Sequence, residues 1–235
     1  MEQNYKTTIA TVAFIDVLGS SEAIKTDADK SLNAIHTAYD ETIIEFKRYH
    51  SKLLTEPKVD IFSDNIILSN EVTEGNEINV FRSIIFFSAL LQMNMWINCV
   101  LVRGGISCGS MFSDEKMIWG NALIKAHNLE SQIAIYPRIV VEPEIAEILS
   151  PTMLTHKLHM ICEDFDGIYF VDPFGVDRSE HGLYLLDGFI DDNTNRLREN
   201  QNNLKIYQKI NWLQQYFMEK YRVLENLKLD QDKMN

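Results

Sequence analysis

Asp16 and Asp64 are the side chains whose type and placement point most clearly to chemistry. Asp16 ends the apolar run Val12-Ala-Phe-Ile-Asp16, where an ionised carboxylate is costly unless it is hydrogen-bonded or bound to a cation. Asp64 lies in Ser63-Asp64-Asn65, between the β-prone runs Lys58–Phe62 and Ile66–Ser69, at the tip of an expected hairpin. Each has an ordinary explanation alone: a strand-end aspartate caps the next turn, and Ser-Asp-Asn forms turns readily. As a pair they imply more. If the hairpin pairs with the first strand, two carboxylates meet at one edge of a sheet, and like charges that close call for a divalent cation. Ligation by oxygen alone suits Mg²⁺ or Mn²⁺.

Other residues offer supporting chemistry. Arg103, before Gly104-Gly105, either reaches a phosphate or pairs with an acid, and Arg138 presents the same choice after Pro137, which holds its approach extended. Asp60 lies on the first strand of the expected hairpin and reads by itself as an outward-facing strand residue. Lys125, His127 and Asn128 share a helix and form a solvated face unless they serve a site. Gly104, Gly105 and Gly109 allow close backbone approach within a sheet, since no phosphate-loop pattern with lysine follows them. His156, His159 and Cys162 have metal-like spacing but no fourth ligand.

The elements that must position these residues can be read from periodicity. Thr7 to Leu18 reads as a buried strand, and Ser21 to about Leu54 as a helix with apolar residues at three-to-four spacing. The hairpin follows, then a helix, apolar on most faces, from Asn79 to about Asn98. Cys99 to Phe112 is a strand, Met117–Trp119 returns antiparallel to it, and Gly120 opens a helix to about Gln132. A strand at 138–141, a short helix from Pro143 and a strand at 168–172 come next. Residues 174–195 show no clean period, and Asn200 to about Leu229 is an amphipathic helix. The order predicts an α+β fold with an antiparallel sheet and helices on one face. The hairpin and the returning strand need no crossover, which disfavours a doubly wound parallel sheet. The expected organisation is one domain over 1–195 and a helical extension over 196–235.

Composition narrows the function. The chain has 235 residues, 46% hydrophobic and 24% charged, an ordinary globular balance. Its formal charge of −12 repels phosphate backbones and argues against broad nucleic-acid binding. The stretch from Ile84 to Val102 is interrupted by Ser88, Gln92, Asn94 and Asn98, so no membrane span is expected. The first residues do not read as a signal peptide, and three scattered cysteines suit reduced thiols. The expected setting is cytoplasmic.

Four blocks in order resemble the class III nucleotidyl cyclase catalytic domain. They are Phe14-Ile-Asp-Val-Leu-Gly19, Ile61-Phe-Ser-Asp64, Arg103-Gly-Gly-Ile106-Ser-Cys-Gly109, and Ile118-Trp-Gly-Asn121 with Leu129-Glu130 closing the helix. The resemblance covers about residues 8 to 172. It implies a ferredoxin-like α+β domain that dimerises head to tail, with the active site at the interface. It further implies two metal ions held by Asp16 and Asp64, with the Val17 carbonyl as an extra ligand, against a nucleoside triphosphate. Arg103 and Arg138 are then candidate phosphate contacts.

The departures from that family are specific. Purine cyclases read the base with a Lys or Glu where this chain has Asp60, and with a second residue where it has Met117. The transition-state Asn and Arg positions hold Ile124 and Asn128, and the late triphosphate Lys falls in the acidic run Glu163-Asp-Phe-Asp166. The short form, with Tyr136-Pro-Arg-Ile-Val140, resembles the pyrimidine cyclases of bacterial anti-phage (Pycsar-type) systems. That resemblance implies cyclisation of CTP or UTP to a messenger that activates an effector, with Asp60 as candidate base contact. The alternatives are a catalytically silent, nucleotide-binding domain of the same fold and, more distantly, a polymerase-type domain making dinucleotides.

Overall fold

The computed structural model describes residues 5–49, 54–156, 160–175 and 180–234. The chain divides into two compact units, Met1–Pro173 and Phe174–Asn235, each taken by itself below. The expected boundary at 195 falls inside a helix of the second unit.

In the first unit, β1 (Thr8–Val17) is an interior strand of the sheet. Its β-branched and apolar residues suit a position flanked on both sides. It pairs antiparallel with β3 (Asn65–Glu71) and with β4 (Val102–Ser113). β2 (Lys58–Phe62) forms the expected hairpin with β3, and Ser63 at the turn adopts a left-handed φ of 57°. These four strands lie in the order β2-β3-β1-β4, the antiparallel ferredoxin-like arrangement. β5 (Ile118–Gly120) folds back on the far end of β4.

One pairing departs from the antiparallel expectation. β6 (Ile139–Val141) lies parallel to β4, with Gly105 opposite Val140. The connection from β5 passes through a helix, long enough for the crossover that parallel neighbours require. β8 (Tyr169–Val171) and β7 (Ile161–Glu163) extend the sheet antiparallel beyond β6.

The two long helices, α1 (Ser20–Tyr49) and α2 (Glu77–Ile97), pack on each other, with Phe46 against Phe86 and Phe87. α1 is kinked at Asp27, whose backbone leaves the helical region. α2 is buried through most of its length. By length and composition it is apolar enough to cross a membrane, but 89% of its most apolar window is buried inside the protein. Two of its buried amides are met internally, Gln92 Nε2 donating to the Pro137 carbonyl and Asn94 Nδ2 to Thr42 and Glu45. That is how a buried helix tolerates such residues. A third helix, α3 (Asn121–Asn128), packs Ala122 and Ala126 on the sheet face that carries Ala10, Val12 and Ile67. α4 (Pro143–His156) starts at the expected proline. His159 lies outside the described residues.

In the second unit, residues 174–195 contribute a helix that periodicity did not reveal, α5 (Glu180–Glu199), joined by a short turn to α6 (Leu204–Met234). Phe174, Phe189 and Phe217 form an aromatic cluster within it. Buried Asn193 donates to the Ile210 carbonyl and to Gln214, fixing the register of the two helices.

Candidate active site

The register of the sheet brings Asp16 and Asp64 together. Asp16 stands opposite Asn65 on β3 and opposite Arg103 on β4. Beyond the ladder, the Val17 N–H donates to the Asp64 carbonyl at 3.0 Å, so the hairpin tip is tied to the end of β1. The Val17 side chain is buried, which anchors this strand end in the core. Residues 48 apart in sequence thus sit at one sheet edge because the hairpin is the neighbour of β1.

Each carboxylate has its own partner. Asp64 accepts from the Ser20 hydroxyl at the first turn of α1, and from Asn65 Nδ2 at 3.3 Å. The Ser20 hydrogen bond holds the Asp64 carboxyl below the usual carboxylate range, outweighing the opposing effect of burial. Asp16 Oδ2 faces Arg103 Nε at 3.4 Å. Arg103 Nη2 in turn forms an ion pair with Glu130 Oε1 at 2.7 Å. Among the choices open for Arg103, the structure displays the pairing with acids, Asp16 at Nε and Glu130 at Nη2.

Glu130 was not singled out as a site residue by sequence reasoning, and neither was Ser20. Glu130 lies in a π-helical turn, Leu129–Ile133, that continues α3, and it is only 3% exposed. The turn can come this close to β4 because Gly105 lacks a side chain. A Cβ there would lie 2.3 Å from the Ala126 carbonyl oxygen and 2.4 Å from Leu129 Cβ. The sequence signals were a serine directly after a strand-end glycine and an acid directly after Leu129 where the helix closes.

The remaining candidates each have partners of their own. Arg138 is fully buried. Its guanidinium is taken up by Asp164 and by Asp166, at 2.6 Å for Nη2, and stacks over Tyr136. For Asp166, burial opposes ionisation but the Arg138 hydrogen bond and charge outweigh it, and its carboxyl lies below the usual range. A phosphate contact by Arg138 requires release of both acids. Asp60 pairs with Lys58 at 3.3 Å, and Lys58 also donates to Ser113 Oγ at 2.6 Å. Lys125 is engaged by Glu142 at 2.6 Å, which raises its pKa, and His127 packs edge-on to Phe14. Met117 is half exposed in a groove of about 610 Å³ beside Tyr5, Phe112 and Trp119, near the N-terminal end of β1. Asp16 is at the other end of that strand.

The donor set fits a hard divalent cation. Among the described residues no group of three or more His, Cys, Asp or Glu side chains could hold a metal by itself. Two carboxylates with a backbone carbonyl are instead the kind of partial set that Mg²⁺ accepts when substrate phosphates and water complete its shell.

A scan against protein-family models finds no match, and a search of curated proteins finds none. Solved structures do match. The adenylyl cyclase CyaB of P. aeruginosa aligns with a TM-score of 0.53 at 17% identity, over 72% of this chain and 96% of that one. The guanylyl cyclase Cya2 aligns at 0.47 and 10% identity, over 72% and 93%. The adenylate/guanylate cyclase/hydrolase of Silicibacter pomeroyi aligns at 0.46 and 13%, over 71% and 95%. The first of these likenesses shows that the chain has the cyclase catalytic-domain fold.

Proposed function

We propose that this protein is a metal-dependent nucleotidyl cyclase that converts a pyrimidine nucleoside triphosphate, CTP or UTP, into a 3′,5′-cyclic nucleotide and pyrophosphate. The observation that carries this reading is the convergence of Asp16 and Asp64 at one sheet edge, clamped by the Val17-to-Asp64 hydrogen bond. These two side chains, with the Val17 carbonyl, are the groups that hold two Mg²⁺ or Mn²⁺ ions. When bound, such ions neutralise the triphosphate and make the 3′-hydroxyl more acidic. The 3′-oxygen then forms a bond to the α-phosphorus as the bond to the bridging oxygen of pyrophosphate breaks, and the hydroxyl proton passes to solvent. The chain's contribution is to fix the reacting atoms in line, which supplies much of the acceleration in phosphoryl transfer.

Asp60 is the proposed base contact. As a carboxylate it only accepts, so it suits the cytosine amino group or the uracil imide N–H. The groove around Met117 lies near the opposite end of β1 from Asp16, with roughly 26 Å of strand between Thr8 and Asp16 at an extended rise. A head-to-tail homodimer places one copy's β4–β5 region against the other copy's aspartate pair, and the site then forms at the interface. The cyclic product is a messenger for an effector protein in anti-phage defence.

One observation favours a second reading, a catalytically silent nucleotide-binding domain. Arg103, Arg138 and Lys125, the cations nearest to a triphosphate role, are all engaged by carboxylates of the same chain. Incubating the purified protein with ATP, GTP, CTP and UTP and Mn²⁺ separates the readings. A cyclic pyrimidine product that Asp16→Ala abolishes supports the enzyme, and nucleotide binding without turnover supports the silent domain.

A further inference from the structure

Arg103 spans two acids, one proposed to hold metal and one sealed in the core. Its Nε lies 3.4 Å from Asp16 Oδ2, and its Nη2 lies 2.7 Å from Glu130 Oε1. The Glu130 side chain is only 4% exposed and that of Arg103 24%, so this contact is shielded from the screening that weakens surface pairs. Burying a carboxylate is costly, and the fold commits two unusual features to doing so. One is the π-helical turn that carries Glu130, a distortion found often at functional sites. The other is Gly105, whose missing side chain lets that turn approach β4.

The charge balance explains what this arrangement accomplishes. A guanidinium beside Asp16 with no second acid makes a neutral pair, and a neutral pair attracts a cation poorly. With Glu130 at the neighbouring Nη2, the trio Asp16, Arg103 and Glu130 carries a formal net charge of −1, while Arg103 still contacts the Asp16 carboxylate through Oδ2.

We propose that Glu130 is a positioning residue for the metal ligand Asp16, acting through Arg103: it draws the guanidinium's charge away from Asp16 while keeping its hydrogen bond, so that Asp16 is held in place yet remains attractive to a divalent cation. This rests on the reading of Asp16 as a metal ligand. Glu130 itself touches neither metal nor substrate.

The test is a titration of the full chain with Mn²⁺ alone, followed by water-proton relaxation, for the wild type, E130Q, R103Q, R103Q/E130Q and D16N. Glu130→Gln keeps shape and the acceptor oxygen but removes the charge. It is expected to weaken Mn²⁺ binding about tenfold, the lower end of what losing an outer partner costs a metal site. R103Q alone is expected to bind Mn²⁺ more tightly than the wild type. The double variant is expected to return to within about threefold of the wild type, the non-additivity of a coupled pair. A purely structural role for Glu130 makes the double variant no better than E130Q. That result overturns the proposal, as does an unchanged Mn²⁺ affinity in a folded E130Q. If E130Q fails to fold, R103Q decides alone: unchanged or weaker binding overturns the proposal. D16N separates the levels. Loss of Mn²⁺ binding in D16N with no change in E130Q removes only this inference, whereas unaltered binding in D16N removes the metal-site reading and this inference together.

Discussion

Val17 donates its backbone N–H to the Asp64 carbonyl at 3.0 Å, one hydrogen bond past the point where Asp16 pairs with Asn65. This contact makes the position of Asp64 a property of the sheet rather than of a loop. A backbone bond cannot be removed by changing a side chain, so both aspartates can be substituted without moving the strand ends. That makes Asp16 and Asp64 unusually clean targets.

Ser20→Ala removes the hydroxyl that donates to Asp64. The Asp64 pKa is expected to rise toward the ordinary carboxylate value, as followed by carboxyl-carbon NMR titration. The sign for stability follows from the depressed folded-state pKa. The contribution of Asp64 is present above the unfolded-state value, about 3.9, and is lost as pH falls through the folded-state value. The variant is therefore expected to lose less stability than the wild type on acidification across that window. An Asp64 titration unchanged by the substitution contradicts the assignment.

Arg138→Met leaves Asp164 and Asp166 without the guanidinium that compensates them. A loss of about 3 kcal/mol is expected at pH 7, the lower end for breaking a buried ion pair from one side. Because the Asp166 pKa is depressed in the fold, the deficit shrinks as pH falls through that depressed value. Urea unfolding at pH 7 and at a series of lower pH values measures both. A loss below 1 kcal/mol at pH 7 indicates that Arg138 is dispensable to the fold.

Gly105→Ala drives a methyl group into the Ala126 carbonyl and Leu129. Backbone cannot yield as a flexible side-chain end does, so a cost of about 1–3 kcal/mol is expected in urea unfolding. Displacement of the π-helical turn is also expected to part Glu130 from Arg103 and weaken Mn²⁺ binding. Unchanged stability shows that the turn moves freely and carries no constraint.

Asp60→Ala is expected to lower kcat/KM for the preferred pyrimidine triphosphate about 10- to 100-fold, the scale of a hydrogen bond to a charged group. Stability should change little, since the Lys58 partner is exposed. An equal fall for purine substrates identifies Asp60 as a general support of the site rather than a reader of the base.

Much of this architecture is visible in the sequence, and the reasons differ by element. β1, the hairpin and α2 stand out because their apolar runs are long and bounded by turn formers. α5 does not, because Gly182 and Gly188 interrupt its pattern at about 1 kcal/mol each, and packing around Phe189 overrides that propensity. The parallel seating of β6 is also hidden: a three-residue apolar strand carries no sign of its direction. In the site, Asp16 and Asp64 announce themselves as acids where apolar runs end. Their partners do not. Ser20 meets Asp64 across 44 residues, and Glu130 and Arg103 join only once α3 folds over Gly105. The sequence leaves Arg138 open between a phosphate and an acid because its acids arrive from a turn more than twenty residues later.

The most direct measurement counts Mn²⁺ bound per chain by EPR in the presence of a CTP analogue that lacks the 3′-hydroxyl. Two ions per site are predicted for the wild type, with both lost or sharply weakened in Asp16→Asn and in Asp64→Asn. Full Mn²⁺ occupancy in both variants would contradict the account at its root, because the two carboxylates would then hold no common ions.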